Sequence, residues 1–347
     1  MSMRSLSRAV PFVMTAVFLV TACGSAPAPA VDNSPASLRI MVGGLSKQIY
    51  IPNKLTEILG YFKEQNLTVE LVDEASGQET SDEVVAGNVD GGSGSYSHVL
   101  ELQAKGKFLL QVAQFQIAPG EAEMISTKAA STYTSFADFK GHNPKANLGV
   151  TSLGSGTHTI SRALLGRAGV AESDVNFIGV GAGTTFIAAM QQGKIDAGMT
   201  TEPTISNVIK KGVGKVLVDL RTPTATRAAL GADYPFIGLF MTTDYVNKHK
   251  SVVQRLVNAY VKTLKWMKAH TAAEITGKMP PDYYGTDKDG YITALDGQKD
   301  SFTADGKMPP AGAQNALDIE LKYVKDMKGA TVDISKTYTN DFANKAS

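Results

Sequence analysis

The side chains in this 347-residue chain that could do chemistry sit in a recurring set of short polar turns rich in Gly, Ser and Thr. Six stand out: Gly43–Tyr50, Ser93–His98, Gln114–Gln116, Ser152–His158, Gly181–Thr185 and Thr200–Pro203. Each follows a short apolar run, where a strand would hand over to a helix. A helix start presents unpaired N–H groups and the positive end of its dipole, and hydroxyl and amide side chains add donors without fixed charge. Along the carboxyl edge of a parallel sheet, such turns are where open α/β folds bind ligands. Ser or Thr before a helix can equally serve as an N-cap alone, so Ser155 and Thr157 could cap or bind.

Other chemistries lack their residues. Thr151-Ser-Leu-Gly154-Ser-Gly156-Thr-His-Thr159 opens a helix after a strand, but Thr159 stands where the dinucleotide fingerprint needs its third Gly, and the Lys of a phosphate-binding loop is missing. Val180–Thr185 lacks both completions. The histidines at 98, 142, 158, 249 and 270 show no metal-ligand spacing. Asp287-Lys-Asp289-Gly290 looks faintly like a calcium loop, but its first position would be Gly285, which has no carboxylate. No Gly-x-Ser-x-Gly elbow occurs. The expectation is a protein with no catalytic residue, metal or cofactor. The alternative is an extracytoplasmic enzyme whose site is assembled from scattered residues.

Positioning such turns requires a folded body. Hydrophobic residues make up 43% of the chain and charged residues 19%, the balance of a soluble globular protein of two or three domains. Met1–Arg8 carries two Arg, and Ala9–Val20 is an apolar run too short to span a bilayer. It ends in Val20-Thr21-Ala22-Cys23, the layout of a signal peptide with the sole cysteine at the cleavage junction. Discounting Arg4 and Arg8 leaves 32 basic against 33 acidic residues, so no basic field exists to hold nucleic acid. Residues 24–37, with three prolines among small residues, read as a tether.

Strands and helices then alternate. Leu38–Val42, Leu67–Val72, Val89, Phe108–Ala113 and Glu123–Ser126 read as strands, with helices between them. After a polar bridge at 127–146 the rhythm restarts: strands at Leu148–Val150, Val175–Val180, Ile195–Met199 and Lys215–Leu220, with a helix at Thr157–Arg167. Gly87-Asn-Val-Asp90-Gly-Gly echoes Gly193-Lys-Ile-Asp196-Ala-Gly. Phe236–Met241 is a strand that could return to the first unit, Ser251–Ala269 an amphipathic helix in which Trp266 packs, Lys278–Pro310 irregular, and Ala311–Met327 a last helix.

The pieces Ile51-Pro52, Leu59-Gly60-Tyr61-Phe62, Leu67-Thr-Val-Glu-Leu, Ala86-Gly87-Asn-Val-Asp90, Gly149-Val-Thr-Ser-Leu-Gly154-Ser-Gly156-Thr, Ala189-Met-Gln-Gln-Gly193-Lys-Ile-Asp196-Ala and Glu202-Pro203, in this order behind a lipoprotein signal, resemble the extracytoplasmic solute-binding proteins of ABC importers. The likeness is greatest to their nitrate/sulfonate/taurine, or SsuA/THI5-like, branch. Asn66 stands where that family has Gly, and Asn also tolerates a left-handed backbone.

The resemblance implies an α/β fold of two lobes with mixed, mostly parallel sheets and a two-stranded hinge. It divides the chain into a signal peptide (1–22), a tether (23–37), lobe one (38–129), lobe two (130–235) and a return to lobe one with C-terminal helices (236–347), crossing near 127–135 and 225–238. It implies lipidation of Cys23, a membrane anchor on the extracytoplasmic side, a monomer, and partnership with an ABC permease and, through it, a cytoplasmic ATPase. The ligand would lie between the lobes. Ser46, Tyr50, Ser95, Tyr96 and Gln114 would face it from lobe one, and Thr151, Ser152, Ser155, Gly156, Thr157, Thr184 and Glu202 from lobe two. A small organic anion, sulfonate or carboxylate, suits the Ser152–Thr157 turn. A neutral pyrimidine or other heteroaromatic stacked on Tyr50, Tyr96 or Phe115 is the alternative. A sensory adaptor would use the same cleft.

Overall fold

Alternation of apolar strands with amphipathic helices produces ten strands in a computed structural model that describes residues 33–346 together with Ala9. The expectations for residues 1–22, for Cys23 and for the tether as far as residue 32 lie outside the described residues. The strands are β1 (Ala36–Val42), β2 (Leu67–Asp73), β3 (Gly91–Ser95), β4 (Leu109–Gln114), β5 (Glu121–Ser126), β6 (Ala146–Val150), β7 (Val175–Gly179), β8 (Ala197–Thr201), β9 (Gly214–Leu220) and β10 (Ile237–Thr242).

They form two sheets of the same plan, β2-β1-β3-β10-β4 and β7-β6-β8-β5-β9. The first three strands of each are parallel, and the fourth runs antiparallel to both its neighbours. This is the expected two-lobed α/β architecture. The fourth strand is the one that has just crossed from the other lobe: β5 enters the second sheet and β10 enters the first. The boundary expected near 127–135 therefore moves to 115–120, because β5 bonds to β8 and β9 and not to any strand of lobe one. β1 also begins at Ala36, so residues 36 and 37, read as tether, pair with Leu67 and Thr68.

The two crossings run side by side. Phe236 N–H donates to the Gln116 carbonyl at 3.1 Å and Tyr234 N–H to the Ile117 carbonyl at 3.2 Å, an antiparallel two-stranded hinge. Ser301 adds a third edge, its carbonyl accepting from Ile117 N–H at 2.8 Å.

Leu38, Ile40, Leu100, Leu239 and Phe240 build the core of lobe one, while Met124, Phe186, Met190, Ile195 and Ile205 fill one face of the lobe-two sheet. Trp266 packs on a third cluster around Ile51, Leu55 and Leu295, as its place on an amphipathic helix suggests. The stretch 278–310 is not all irregular. Lys288–Gln298 is a helix despite Gly290 and Gly297, because the Asp287 carboxylate caps it by accepting from Gly290 N–H, which also accounts for the calcium-like spacing. The helix Pro310–Tyr323 does not belong to lobe one alone. It lies against both the Tyr96–Ala104 helix and the Gly156–Arg167 helix, one from each lobe.

Candidate functional site

The helix at Gly77–Ala86 starts from Ser76, that at Tyr96–Ala104 from Ser95 and that at Gly156–Arg167 from Ser155. All three N-cap serines line one cavity between the lobes. Its wall also includes Lys47, Tyr50, His98, Glu121, Thr151, Gly156, Thr157, Thr201 and Phe236. The cavity is narrow, with about 20 Å³ open to the centre of a water-sized sphere.

Three helix starts at one cavity bring three positive dipole ends together. Ser76 and Ser95 are occupied as caps, accepting from Gln78 N–H and Ser97 N–H. Ser155 does not cap its helix: its hydroxyl donates to the Ser152 carbonyl at 2.7 Å and meets the Thr157 hydroxyl at 2.7 Å. Within that turn the N–H groups of Thr151, Ser152, Gly154 and Ser155 are already spent on local acceptors. Those of Gly156 and Thr157, in the cavity wall, are the ones a ligand can use. Gly154 takes a φ of +87°, which a side chain would strain. Gly156 is glycine for a different reason: a Cβ there would come within 2.6 Å of the Phe236 ring and 3.1 Å of Ser95 Cβ, across the cleft.

The charged groups of the wall were not expected. Lys47 turns in from the loop after β1, its ammonium donating to the Gly43 and Ala75 carbonyls at 2.7 and 2.9 Å. Burial pushes it down to about 8, against the pull of Glu121, Asp73 and Glu79. Burial pushes the Glu121 carboxyl well above the usual range, with Lys47 opposing. Burial also holds the His98 imidazole down to about 4, so it is neutral at neutral pH. Lys47 lies one residue from Ser46 in the same turn, and Glu121 and Glu123 are two carboxylates at strand spacing in an otherwise apolar run. Those were the available signals.

Of the residues expected to face a ligand, Tyr50, Ser95, Thr151, Ser155, Gly156 and Thr157 line the cavity. The others do not. Ser46 is exposed at the tip of its turn. Tyr96 is fully buried, and its hydroxyl bonds Thr337 at 2.6 Å in the lobe-one core. Gln114 braces the hinge by donating to the Ile237 carbonyl at 3.1 Å. Ser152 sits at the rim, its hydroxyl 2.9 Å from that of Ser76. Thr184 is exposed at a helix start outside the cavity wall. Glu202 is a buried strut: its carboxylate accepts from Arg221 at 2.9 Å and from Ser206 N–H at 3.0 Å. Phe115, offered for stacking, is buried against Tyr260.

Among the described residues no group of three metal-ligating side chains converges, and no helix is long and apolar enough to cross a membrane. Two matched lobes around a polar cleft give a two-lobed, periplasmic-binding-protein-like fold. The NMT1/THI5-like family profile matches residues 52–273, and a solved structure from Bordetella bronchiseptica RB50 is 34% identical, covering 90% of this chain and 96% of its own with a TM-score of 0.84. The chain belongs to the NMT1/THI5-like family. More distant in sequence, the periplasmic nitrate-binding protein NrtA from Synechocystis PCC 6803 is 15% identical over 90% of this chain and 89% of its own, with a TM-score of 0.73. The alkanesulfonate-binding protein SsuA from Xanthomonas axonopodis pv. citri, bound to MOPS, is 17% identical over 88% and 99%, with a TM-score of 0.70. Comparison with curated protein sequences returns no match.

Proposed function

We propose that this protein is the extracytoplasmic solute-binding component of an ABC importer, anchored by lipid on Cys23, and that it captures a small organic anion in the interlobe cleft without transforming it. One observation carries the ligand class: three helix starts and the Lys47 ammonium converge on one cavity. Oxygens of a carboxylate or sulfonate would take the N–H groups of Gly156 and Thr157 and the third N–H of Lys47, while Ser155 and Thr157 add hydroxyls. The nearby Glu121 does not oppose this, since burial favours its neutral form.

The two-stranded hinge supports capture by closure, in which ligand binding shifts the lobes toward the closed arrangement that a permease would read. The family likeness supports the importer role, distant structural relatives include a nitrate-binding and an alkanesulfonate-binding protein, and the signal-like N-terminus supports the location. The heteroaromatic alternative loses two of its three stacking rings, because Tyr96 and Phe115 are core residues. Native mass spectrometry of protein isolated with its ligand, followed by identification of the released molecule, tests the reading. A small carboxylate or sulfonate at stoichiometric occupancy is expected. A neutral heterocycle, or chemical turnover of the solute, would overturn it.

A further inference from the structure

Behind the cleft, the Tyr96–Ala104 helix of lobe one and the Gly156–Arg167 helix of lobe two run back from their shared cavity and meet the Pro310–Tyr323 helix. There the Thr159 hydroxyl of lobe two donates to the Glu101 carboxylate of lobe one at 3.2 Å. Glu320, on the third helix, is fully buried. Its Oε1 accepts from the Tyr234 hydroxyl of the hinge at 3.2 Å, and its Oε2 is buried with no partner. Arg162 acts on both carboxyls but is committed elsewhere: its guanidinium donates to Glu172 at 3.0 Å, and its Nε is buried without an acceptor. Among the described residues, neither Glu101 nor Glu320 has an ion-pair partner. A buried carboxyl without a cation keeps its proton instead. Burial accordingly pushes both carboxyls above the usual range, and the Glu101 charge pushes Glu320 further.

Contacts along the third helix decide which side it follows. The Tyr323 ring lies on the bare backbone of Gly166, Asn315 donates to the Asp233 carbonyl at 3.2 Å, and Pro235 packs on Gly312. These fasten it to lobe two and the hinge, so parting of the lobes pulls Glu101 away from Glu320.

We infer that this seam is a proton-linked latch on lobe closure: Glu101 and Glu320 come together only with a proton held on one of them, so shutting the lobes takes a proton up and opening returns it. The step forms one O–H bond on a carboxylate oxygen, and water or buffer supplies the proton. The groups facing Glu101 are Lys105 on its own helix, Arg162 from lobe two and Asp326 from the turn after the third helix. Those facing Glu320 are Glu101, Arg162 and Tyr234, while the nearby Asp333–Lys336 pair closes on itself at the surface at 3.0 Å. His158, beside Glu101 in the same groove, is held down to about 3 by burial and stays neutral throughout. The closed form holds the extra proton. Its advantage is complete below the ordinary glutamate value, about 4.3, and is lost as pH rises through the raised values of the closed state.

Small-angle scattering of ligand-free protein from about pH 5 to about pH 8.5 tests the latch. The radius of gyration should rise with pH in one step. Glu101→Gln and Glu320→Gln, each uncharged at every pH, should each move that step to higher pH, and together they should remove it. A denaturant midpoint checks that each variant is folded, and either single variant alone suffices. A radius independent of pH in wild type, or a step that stays in place in a folded variant, overturns the latch. No solute enters the measurement, so such a failure leaves anion capture standing, and a failure of anion capture leaves the latch.

Discussion

The hydroxyl oxygens of Ser76 and Ser152 stand 2.9 Å apart, one at a helix start in lobe one and the other in the turn that opens the Gly156–Arg167 helix of lobe two. With the Gln48 N–H on the Glu202 carbonyl at 3.0 Å and the Lys210–Asp287 pair at 2.7 Å, they link the lobes directly around the cleft. The Lys210–Asp287 pair is well exposed and contributes little, so the hydroxyl pair and the backbone bond are the more informative contacts.

Ser152→Ala removes the hydroxyl pair without touching either core. A neutral hydrogen bond is worth about 1 kcal/mol net, so ligand affinity should fall about fivefold through a looser closed state. Unfolding of ligand-free protein should barely change. Titration calorimetry paired with urea unfolding reads both. A loss of stability as large as the loss of affinity would contradict the assignment of this bond to closure.

Gly156→Ala places a Cβ against the Phe236 ring and Ser95, across the cleft. Affinity should fall at least tenfold, or about 1.4 kcal/mol. Phe236→Leu in the same chain should recover part of it. Small-angle scattering should show the single variant more open than wild type in the presence of ligand.

Arg221→Ala strips the partner from the fully buried Glu202 carboxylate. Leaving a buried charge unpaired costs roughly 3 kcal/mol, and the loss should appear in ligand-free unfolding, unlike the two cleft variants. An unchanged denaturant midpoint would mean that the Ser206 N–H alone suffices to hold the Glu202 carboxylate.

Glu123 on β5 accepts from the Ser161 hydroxyl at 2.8 Å, and burial pushes its carboxyl up to about 8. A carboxyl raised in the folded state binds its proton more tightly there than in the unfolded chain. Its stabilising contribution is complete below the unfolded pKa, near 4.3, and is lost as pH rises through about 8. Wild-type stability should therefore fall between pH 5 and 8 by this contribution, as about-neutral conditions are approached and passed. Glu123→Gln should flatten that slope in chemical denaturation across the same range.

Cys23→Ser should block both acylation and cleavage, leaving the full-length precursor. Intact mass of membrane-extracted wild-type protein should correspond to a chain beginning at an acylated Cys23. A soluble, unlipidated wild-type product would remove the anchor from the proposal.

Local pattern carried much of this architecture. The Gly87–Gly92 and Gly193–Gly198 echo marks equivalent places: Asp90 accepts from Arg39 N–H on β1 and Asp196 from Asn147 N–H on β6, both at 2.8 Å. A six-residue similarity thus reflects one device used in both sheets. The turns after β1, β3 and β6 were also legible, because Gly, Ser and Thr before a helix have few other uses. What failed was anything decided by pairing at long range. Glu123–Ser126 reads as a strand following directly on those of lobe one, and only the bonds of β5 to β8 and β9 place it in lobe two. Lys47 escaped because a charged side chain beside an exposed Ser46 looks solvated until the Gly44–Lys47 turn folds it inward. Tyr96 and Gln114 have the right chemistry in the right loops, but a helix's first residue and a strand's last point where the backbone dictates, here into the core and the hinge.

The exchange of fourth strands makes the order of chain synthesis matter. Residues 121–230 hold every strand of lobe two in one continuous stretch, so that sheet can be completed as soon as β9 has been made. Lobe one cannot. Its β4 has β10 as its sheet neighbour, 123 residues farther along from Gln114 to Ile237, and until β10 arrives β3 also lacks a partner on one side. A nascent chain must therefore carry the first four strands unfinished while the second lobe forms behind them, with β3 and β4 open to wrong pairing in the interval. A holdase acting on the emerging chain should find its main client in residues 36–114. Mutations that slow the arrival of β10 should lower yield more than they lower the stability of the finished protein.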